Sequence, residues 1–95
     1  MIKTIVLIKC FIPQDVQAVK DKLPKSWEIY EINPSIPPFS FLFSFAVMIK
    51  TKSHEELEDK INHIKSMDGV ENISIFAVVS TNLPPWFYVN FYCKN

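Results

Sequence analysis

The amino-acid sequence predicts an α+β domain whose strands and helices follow the order β-α-β-β-α-β. One observation is the β-branched, apolar run TIVLI at residues 4–8, which is typical of a strand covered on both faces. A second is the spacing of Ser53 and Glu56, which forms a capping box at the start of an amphipathic helix. The third is Gly69, the only glycine of the chain, which stands where that helix must turn into the next strand.

The first part of the chain predicts a strand followed by a short helix. The strand covers residues 1–11, and Pro13 ends it at a position that favours the first turn of a helix. The helix covers residues 14–23 and closes before Pro24, because the residue before a proline avoids helical backbone angles. Its apolar positions recur at helical spacing and form one stripe, which consists of Val16, Val19 and Leu23.

The middle of the chain predicts two strands joined by a stiff loop. Residues 27–32 alternate between two faces and predict the second strand, whereas residues 33–38 contain three prolines and predict the loop. Residues 39–51 predict the third strand, whose alternation separates two faces. We expect its core face to carry Phe39, Phe41, Phe43, Phe45, Val47 and Ile49. We expect its smaller, weakly polar face to pack against another sheet and to carry Ser40, Leu42, Ser44, Ala46 and Met48.

The second half of the chain predicts a helix, a buried strand and an aromatic tail. Residues 53–67 form the helix, and residues 70–81 form the strand. The helix stripe consists of Leu57, Ile61 and Ile64. Residues 83–95, LPPWFYVNFYCKN, predict either an extra edge strand or an arm that contacts a neighbouring subunit.

If its crossover connections are right-handed, a chain with this element order adopts a ferredoxin-like fold. Such a fold has a four-stranded antiparallel sheet with both helices on one face. We assign residues 1–82 to this domain and residues 83–95 to a C-terminal extension. The second sheet face has no helix to cover it, so its apolar residues predict a partner sheet, a ligand or a tail that folds back.

Composition and charge narrow the classes of function. The formal net charge is zero and the chain has no arginine, which makes direct nucleic-acid binding a poor expectation. Hydrophobic residues make up 48% of the chain, more than a small monomer needs, so we expect a homodimer or a higher oligomer. No apolar run reaches the length of a membrane span, and Cys10 and Cys93 lack the spacing of a disulfide framework. We expect a cytoplasmic protein.

No arrangement of residues indicates catalysis, a metal or a cofactor. His54 and His63 fall on opposite sides of one predicted helix, so they cannot share a metal ion. The serine and threonine hydroxyls have no base placed to activate them. A chain with one glycine contains no glycine-rich phosphate loop. We therefore expect a non-enzymatic protein.

Residues 2–82 resemble the effector-binding RAM domain of Lrp/AsnC regulators in its stand-alone form. The resemblance lies in IVLIKC and KLPKSWEIYEI near the start, then in KTKSHEELEDKINHIKS, the turn MDGVE and the strand that ends in VVSTN. It implies a module for transcription regulation that self-associates through its sheet and binds an amino acid or a related metabolite between subunits. By this resemblance the ligand-binding residues are Asn33, Ser35, Ser80 and Thr81.

Two further families are similar over shorter stretches. Residues 23–41, LPKSWEIYEINPSIPPFSF, resemble the nucleotide-exchange domain of elongation factor 1-beta, which implies a monomer that inserts an aromatic loop into a protein partner. Residues 47–61, VMIKTKSHEELEDKI, resemble CutA-like proteins. The leading hypothesis is a small-molecule-binding or regulatory module, and the alternatives are a protein-binding factor or a structural assembly protein.

Overall fold

The chain folds as an α+β domain built on one five-stranded antiparallel sheet. The structure is a computed structural model that describes residues 1–35, 42–79, 83 and 85–93. Within this part of the chain there are five strands and three helices. Their bounds in chain order are β1 Ile2–Cys10, α1 Pro13–Lys22, β2 Glu28–Ile32, β3 Phe45–Thr51, α2 His54–Lys65, β4 Val70–Val79, α3 Pro85–Asn90 and β5 Phe91–Cys93.

The strands lie in the order β4-β1-β3-β2-β5, and every neighbouring pair is antiparallel. Strand β1 is therefore internal, as the TIVLI run predicts, and it pairs with β3 so that Val6 lies opposite Val47. Strand β4 lies at one edge, where its register against β1 shifts twice. At the other edge β5, which belongs to the aromatic tail, pairs with β2.

Both longer helices cover the same face of the sheet. Alternate residues of β1 and β3 point to this face because successive side chains of a strand alternate. Val19 of α1 is fully buried there, and the predicted stripe of α2 is buried in the same cluster. The buried members of this helix-side core are Val6, Ile8, Cys10, Val19, Leu23, Phe45, Val47, Ile49, Leu57, Ile61, Ile64 and Val70.

The tail covers part of the opposite face. Phe87 of α3 and Phe91 of β5 are buried there, and the Phe87 ring meets the Tyr30 ring edge-on with 4.8 Å between centroids. The Trp86 ring packs on Phe76 of β4 at 5.1 Å, so α3 reaches from one side of the sheet towards the other. The buried members of this tail-side core are Ile5, Leu7, Tyr30, Ile32, Ala46, Met48, Phe87 and Phe91.

The local signals around α2 act as the sequence predicts. The Glu56 amide donates to the Ser53 side chain at 3.2 Å, which caps the helix. The Glu56 carboxylate completes the box one residue further back than expected, because it accepts from the Lys52 amide at 3.0 Å. Gly69 has φ of +95°, a left-handed conformation that favours glycine.

The predicted third strand is too long at its N-terminal end. Strand β3 begins at Phe45, and residues 39–41 lie outside the described part of the chain. Alternation predicts that Phe43 shares the helix side with Phe45. In the structure, Phe43 packs against the tail-side core instead. The reason is that the two-residue period holds only inside a strand, and Phe43 precedes it.

The prediction that the last strand is buried is also wrong. Strand β4 lies at the edge of the sheet, where Ile75 is 51% exposed and Val78 is 60% exposed. An apolar strand at an edge has a neighbour on one side only, which sequence alternation does not reveal. Among the described residues, no helix is long and apolar enough to cross a membrane.

Candidate functional site

A cleft lies at the end of the sheet where β1 turns into α1. Its volume is about 370 Å³. One wall comes from the end of β1 and the start of α1, and the other comes from the segment that enters β3. The residues that line it are Lys9, Cys10, Phe11, Ile12, Pro13, Val16, Phe43 and Ser44. We refer to it as the β1–α1 cleft.

Hydrogen bonds donated by backbone amides hold the two walls together. The Ser44 amide donates to the Ile8 carbonyl at 2.7 Å, and the Cys10 amide donates to the Ser44 hydroxyl oxygen at 3.1 Å. The Phe11 amide donates to the Gly69 carbonyl at 3.0 Å, which ties the turn after β1 to the turn before β4. The two walls are therefore joined by one bond between main-chain groups and by one bond to the Ser44 side chain.

The Cys10 thiol is the buried polar group of this cleft. Burial raises its pKa above the ordinary value, while a hydrogen bond with Ser44 lowers it to a smaller extent. A thiol with a raised pKa stays protonated near neutral pH and is a weak nucleophile. Cys10 therefore contributes packing and a weak hydrogen-bonding group rather than covalent chemistry.

The mouth of the cleft exposes apolar surface. Phe11 is 64% exposed and Ile12 is 52% exposed, although both line the cleft. Helix α1 begins beside them at Pro13, and no side chain caps its N-terminus. Lys9 lies half-buried at the same end. This arrangement suits a small molecule that has both an apolar part and a polar end.

The structure places Asn33 at the junction between β2 and the tail. Its amide donates to the Asn90 carbonyl at 2.8 Å, and its side-chain Nδ2 donates to the Val89 carbonyl at 3.0 Å. Its Oδ1 accepts from the amide of the exposed Ser35 at 3.0 Å. These contacts give Asn33 a role in anchoring the tail, and they leave part of its hydrogen-bonding capacity for a ligand.

Two of the four predicted ligand residues, Asn33 and Ser35, lie in the described part of the chain, and neither lines the β1–α1 cleft. Ser80 and Thr81 lie outside the described residues. Sequence reasoning missed the cleft because its walls come from segments more than thirty residues apart, as the bond between Cys10 and Ser44 illustrates. The one local signal is the apolar pair Phe11 and Ile12 ahead of Pro13, which lies beyond the end of β1.

Two ion pairs lie elsewhere on the sheet. The Lys20 Nζ lies 2.6 Å from the Glu31 Oε1 and 5.2 Å from the centroid of the Phe45 ring, so α1 is joined to β2 above the helix-side core. On the tail side, the Tyr30 hydroxyl donates to Glu28, and the Lys50 Nζ lies 3.5 Å from the Glu28 Oε1. The Tyr30 hydrogen bond is the largest cause of a lowered pKa at Glu28.

The described residues contain no cluster of side chains that could bind a metal ion. No group of three or more histidine, cysteine, aspartate or glutamate side chains comes together there. His54 and His63 are both exposed on α2.

Comparison with known proteins finds a similar solved structure but does not assign the chain to a family. No family model matches the chain, and no curated protein matches it. Among solved structures, the chain is similar to the crystal structure of TTHA0845 from Thermus thermophilus, with a TM-score of 0.60 and 26% sequence identity. The similarity covers 88% of this chain and 99% of that one, which agrees with a shared α+β architecture.

Proposed function

We propose that this chain is a non-enzymatic, ferredoxin-like module of the cytoplasm that binds a small molecule and self-associates. The observation that carries the proposal is the β1–α1 cleft, whose 370 Å³ lies near the lower end of the range of about 300–1,000 Å³ for small-molecule sites. Hydrogen bonds donated by the Cys10 and Ser44 amides, to the Ser44 hydroxyl and the Ile8 carbonyl, hold its walls together, so a ligand would bind without first ordering them.

The ferredoxin-like assignment rests on the path of the first four strands. Their order β4-β1-β3-β2, with antiparallel neighbours, is the arrangement that right-handed crossovers give to a β-α-β-β-α-β chain. Val19 of α1 and Ile61 of α2 belong to the same core cluster, which is consistent with two helices on one face. The tail then adds α3 and β5 to this frame.

The ligand that we propose is an amino acid or a related metabolite, as the resemblance to stand-alone RAM domains implies. A regulatory effect requires that the ligand bind one assembly state more tightly than another, because only differential affinity shifts an equilibrium. We place the second contact region at Asn33, Ser35, Ser80 and Thr81, as the same resemblance implies.

Self-association is supported by apolar surface on the outer side of the tail. Trp86 is 40% exposed and Tyr88 is 66% exposed, and Val89 and Tyr92 are exposed beside them. Exposed aromatic residues are enriched at protein interfaces. Because α3 and β5 already cover part of the sheet, the contact between subunits would involve the tail as well as the sheet.

The test combines a ligand screen with a measurement of mass. The common amino acids and their 2-oxo and deaminated analogues are screened by thermal shift, and each compound that raises the melting temperature is titrated by calorimetry. Light scattering coupled to size exclusion then gives the mass with and without ligand. We expect a compound that binds and an even-numbered assembly. A chain that stays monomeric and binds none of these compounds contradicts the proposal.

Three of the four residues named by resemblance are tested separately from the cleft. Under the proposal, changing Ser80 and Thr81 together to alanine abolishes or strongly weakens binding, and changing Ser35 to alanine weakens it. Unchanged affinity in both variants removes Ser35, Ser80 and Thr81 from the site. It leaves the cleft as the location of binding.

A protein-binding factor is the second candidate, and the exposed tail favours it. Trp86 and Tyr88 present aromatic surface that a protein partner could bury. The loop that the exchange-domain resemblance implicates, residues 36–41, lies outside the described part of the chain. A stable monomer that binds no metabolite and retains a defined protein in a pull-down through Trp86 favours this candidate over the first.

A further inference from the structure

We propose that two copies of this chain pair edge to edge through β4, so that their two sheets form one continuous antiparallel sheet. The inference rests on the self-association named in the proposed function and states which surface makes the contact. It differs from the expectation that resemblance gives, in which the subunits meet through the faces of their sheets.

The sheet face that a partner sheet would use is partly covered within the chain. Phe87 and Phe91 of the tail are each 1% exposed and are buried against that face. A second sheet could pack on this area only by displacing the tail. Pairing at an edge needs no such displacement, because it uses backbone groups in the plane of the sheet.

The two edges of the sheet differ in length. Strand β4 has ten residues and, among the described strands, has a neighbour only on the side of β1. Strand β5 at the other edge has three residues, so it offers few backbone groups for pairing. Of the two described edges, a second β4 is therefore the one that matches β4 in length. This favours a closed two-fold pair over head-to-tail addition of β4 to β5.

The sequence of β4 carries little that would block such pairing. Edge strands that stay single commonly contain proline or lysine. Strand β4, VENISIFAVV, contains neither, and Glu71 is its one charged residue. Near its N-terminal end the Ile73 amide donates to the Asn72 side-chain oxygen at 2.9 Å, which occupies one backbone donor. We therefore place the pairing segment after Ile73.

A bulge in β4 puts its exposed apolar residues on one side of the sheet. The register against β1 shifts after Ile75, which leaves Phe76 as the extra residue. Ile75 lies opposite Val6, and Val78 lies opposite Thr4. Val6 and Thr4 share one face of β1 because they are two residues apart, so Ile75 and Val78 share the helix side. They are 51% and 60% exposed.

This arrangement gives β4 a self-complementary register. When the two-fold axis passes between Phe76 and Ala77, Ile75 of each copy lies opposite Val78 of the other. Directly opposite residues have Cβ atoms about 4.5–5.5 Å apart, so the pair covers exposed apolar surface twice. On the tail side the Trp86 ring packs on Phe76 and is 40% exposed, so the tail borders the same contact.

A lysine on the strand tests the edge, because charged side chains keep natural edge strands single. Val78→Lys alters a side chain that is largely exposed, so an isolated subunit has room for it. Each copy would bring one lysine into the apolar contact. We therefore expect the dissociation constant, measured by light scattering over a dilution series, to rise by about tenfold or more. Tyr92→Lys is the matched control, since Tyr92 is 47% exposed at the opposite edge, and we expect no change there.

Cysteines at the two opposed positions test the register. Chains with Ile75→Cys and with Val78→Cys are prepared separately in a Cys93→Ser background, in which the other thiol is the buried Cys10. We expect a disulfide between the two chains when they are mixed and oxidised, and intact mass identifies the mixed species. In either chain alone the new cysteines of two copies lie about three residues apart along the strands, roughly 10 Å, which is too far for a disulfide.

The outcomes separate this inference from the proposed function. A disulfide confined to the mixture, together with dissociation that Val78→Lys promotes and Tyr92→Lys does not, supports the inference. A dimer that Val78→Lys does not weaken, or that gives no mixed disulfide, overturns it and leaves self-association standing. A chain that stays monomeric overturns both, whether β4 then stays single or receives a strand from another protein.

Discussion

The tail should be part of the folded core, and changing Phe87 to alanine measures this directly. Phe87 is 1% exposed, and its ring meets those of Tyr30 at 4.8 Å and Phe91 at 5.0 Å. Buried phenylalanine-to-alanine changes cost about 3–5 kcal/mol, and aromatic pairs of this geometry contribute about 0.5–1.5 kcal/mol beyond burial. We take the lower end, about 3 kcal/mol, because a helix of six residues can relax into the space.

That loss is large for a domain of this size. Native proteins have unfolding free energies of about 5–15 kcal/mol, so the Phe87→Ala chain should keep about 40–80% of its stability. Urea denaturation followed by circular dichroism measures it. With a urea slope near 2 kcal/mol per molar, the midpoint should fall by about 1.5 M.

Tyr88→Ala is the matched control, because Tyr88 is the next residue of the same helix and is 66% exposed. We expect it to change the unfolding free energy by no more than about 0.5 kcal/mol. A loss below about 1 kcal/mol at Phe87, or equal losses at both positions, would refute the conclusion that the tail belongs to the core.

Three further predictions concern turns and charges. Gly69→Ala should cost about 2–3 kcal/mol in urea denaturation, because its φ of +95° disfavours a side chain and the new Cβ would lie 3.0 Å from the Asp15 Cβ. Ser53→Ala should cost about 1 kcal/mol, since the helix loses its side-chain cap. Tyr30→Phe should raise the pKa of Glu28 towards its ordinary value of 4.5, as followed by nuclear magnetic resonance of the carboxyl carbon. In the unaltered chain, the lowered pKa of Glu28 stabilises the folded state at pH values above the pKa of Glu28 in the unfolded state. That stabilisation is lost as the pH falls through the pKa of Glu28 in the folded state. Tyr30→Phe should therefore lessen the loss of stability at low pH.

Each of these predictions has a clear contrary result. A Gly69→Ala chain as stable as the unaltered one would mean that the turn can leave the left-handed region without cost. An unchanged midpoint for Ser53→Ala would show that water replaces the cap. A Glu28 pKa that stays low in Tyr30→Phe would make Lys50 the dominant cause instead of the hydroxyl.

The sequence predicts α2 and β1 well because the signals for these elements come from residues close together in the chain. The bounds of α2 follow from a cap at Ser53, an apolar stripe and a left-handed Gly69, all within seventeen residues. Strand β1 is recognisable because both of its faces are apolar, which requires cover on both sides. These signals depend on neighbours in the sequence, so the sequence is sufficient to locate them.

The features that were missed depend on contacts between distant segments. In the sequence, Phe43 continues the alternation of apolar residues in β3. The strand nevertheless begins only at Phe45, which pairs with Ile8. The exposure of Ile75 depends on the position of β4 in the sheet, which topology decides. The β1–α1 cleft forms only when distant segments come together in the fold, and so does the contact between Phe87 and Tyr30. No local sequence pattern therefore predicts either of them.

The position of the tail in the chain has a consequence for biosynthesis. All four strands of the frame leave the ribosome before α3 and β5 do, because residues 85–93 are translated last among the described elements. Until then, the tail side of the sheet, with Ile5, Leu7 and Met48, lacks the cover that Phe87 and Phe91 provide. A sheet without that cover exposes apolar surface, which favours aggregation or capture by a chaperone. A chain that lacks the tail from Pro85 onwards should therefore aggregate more readily than the chain that has it.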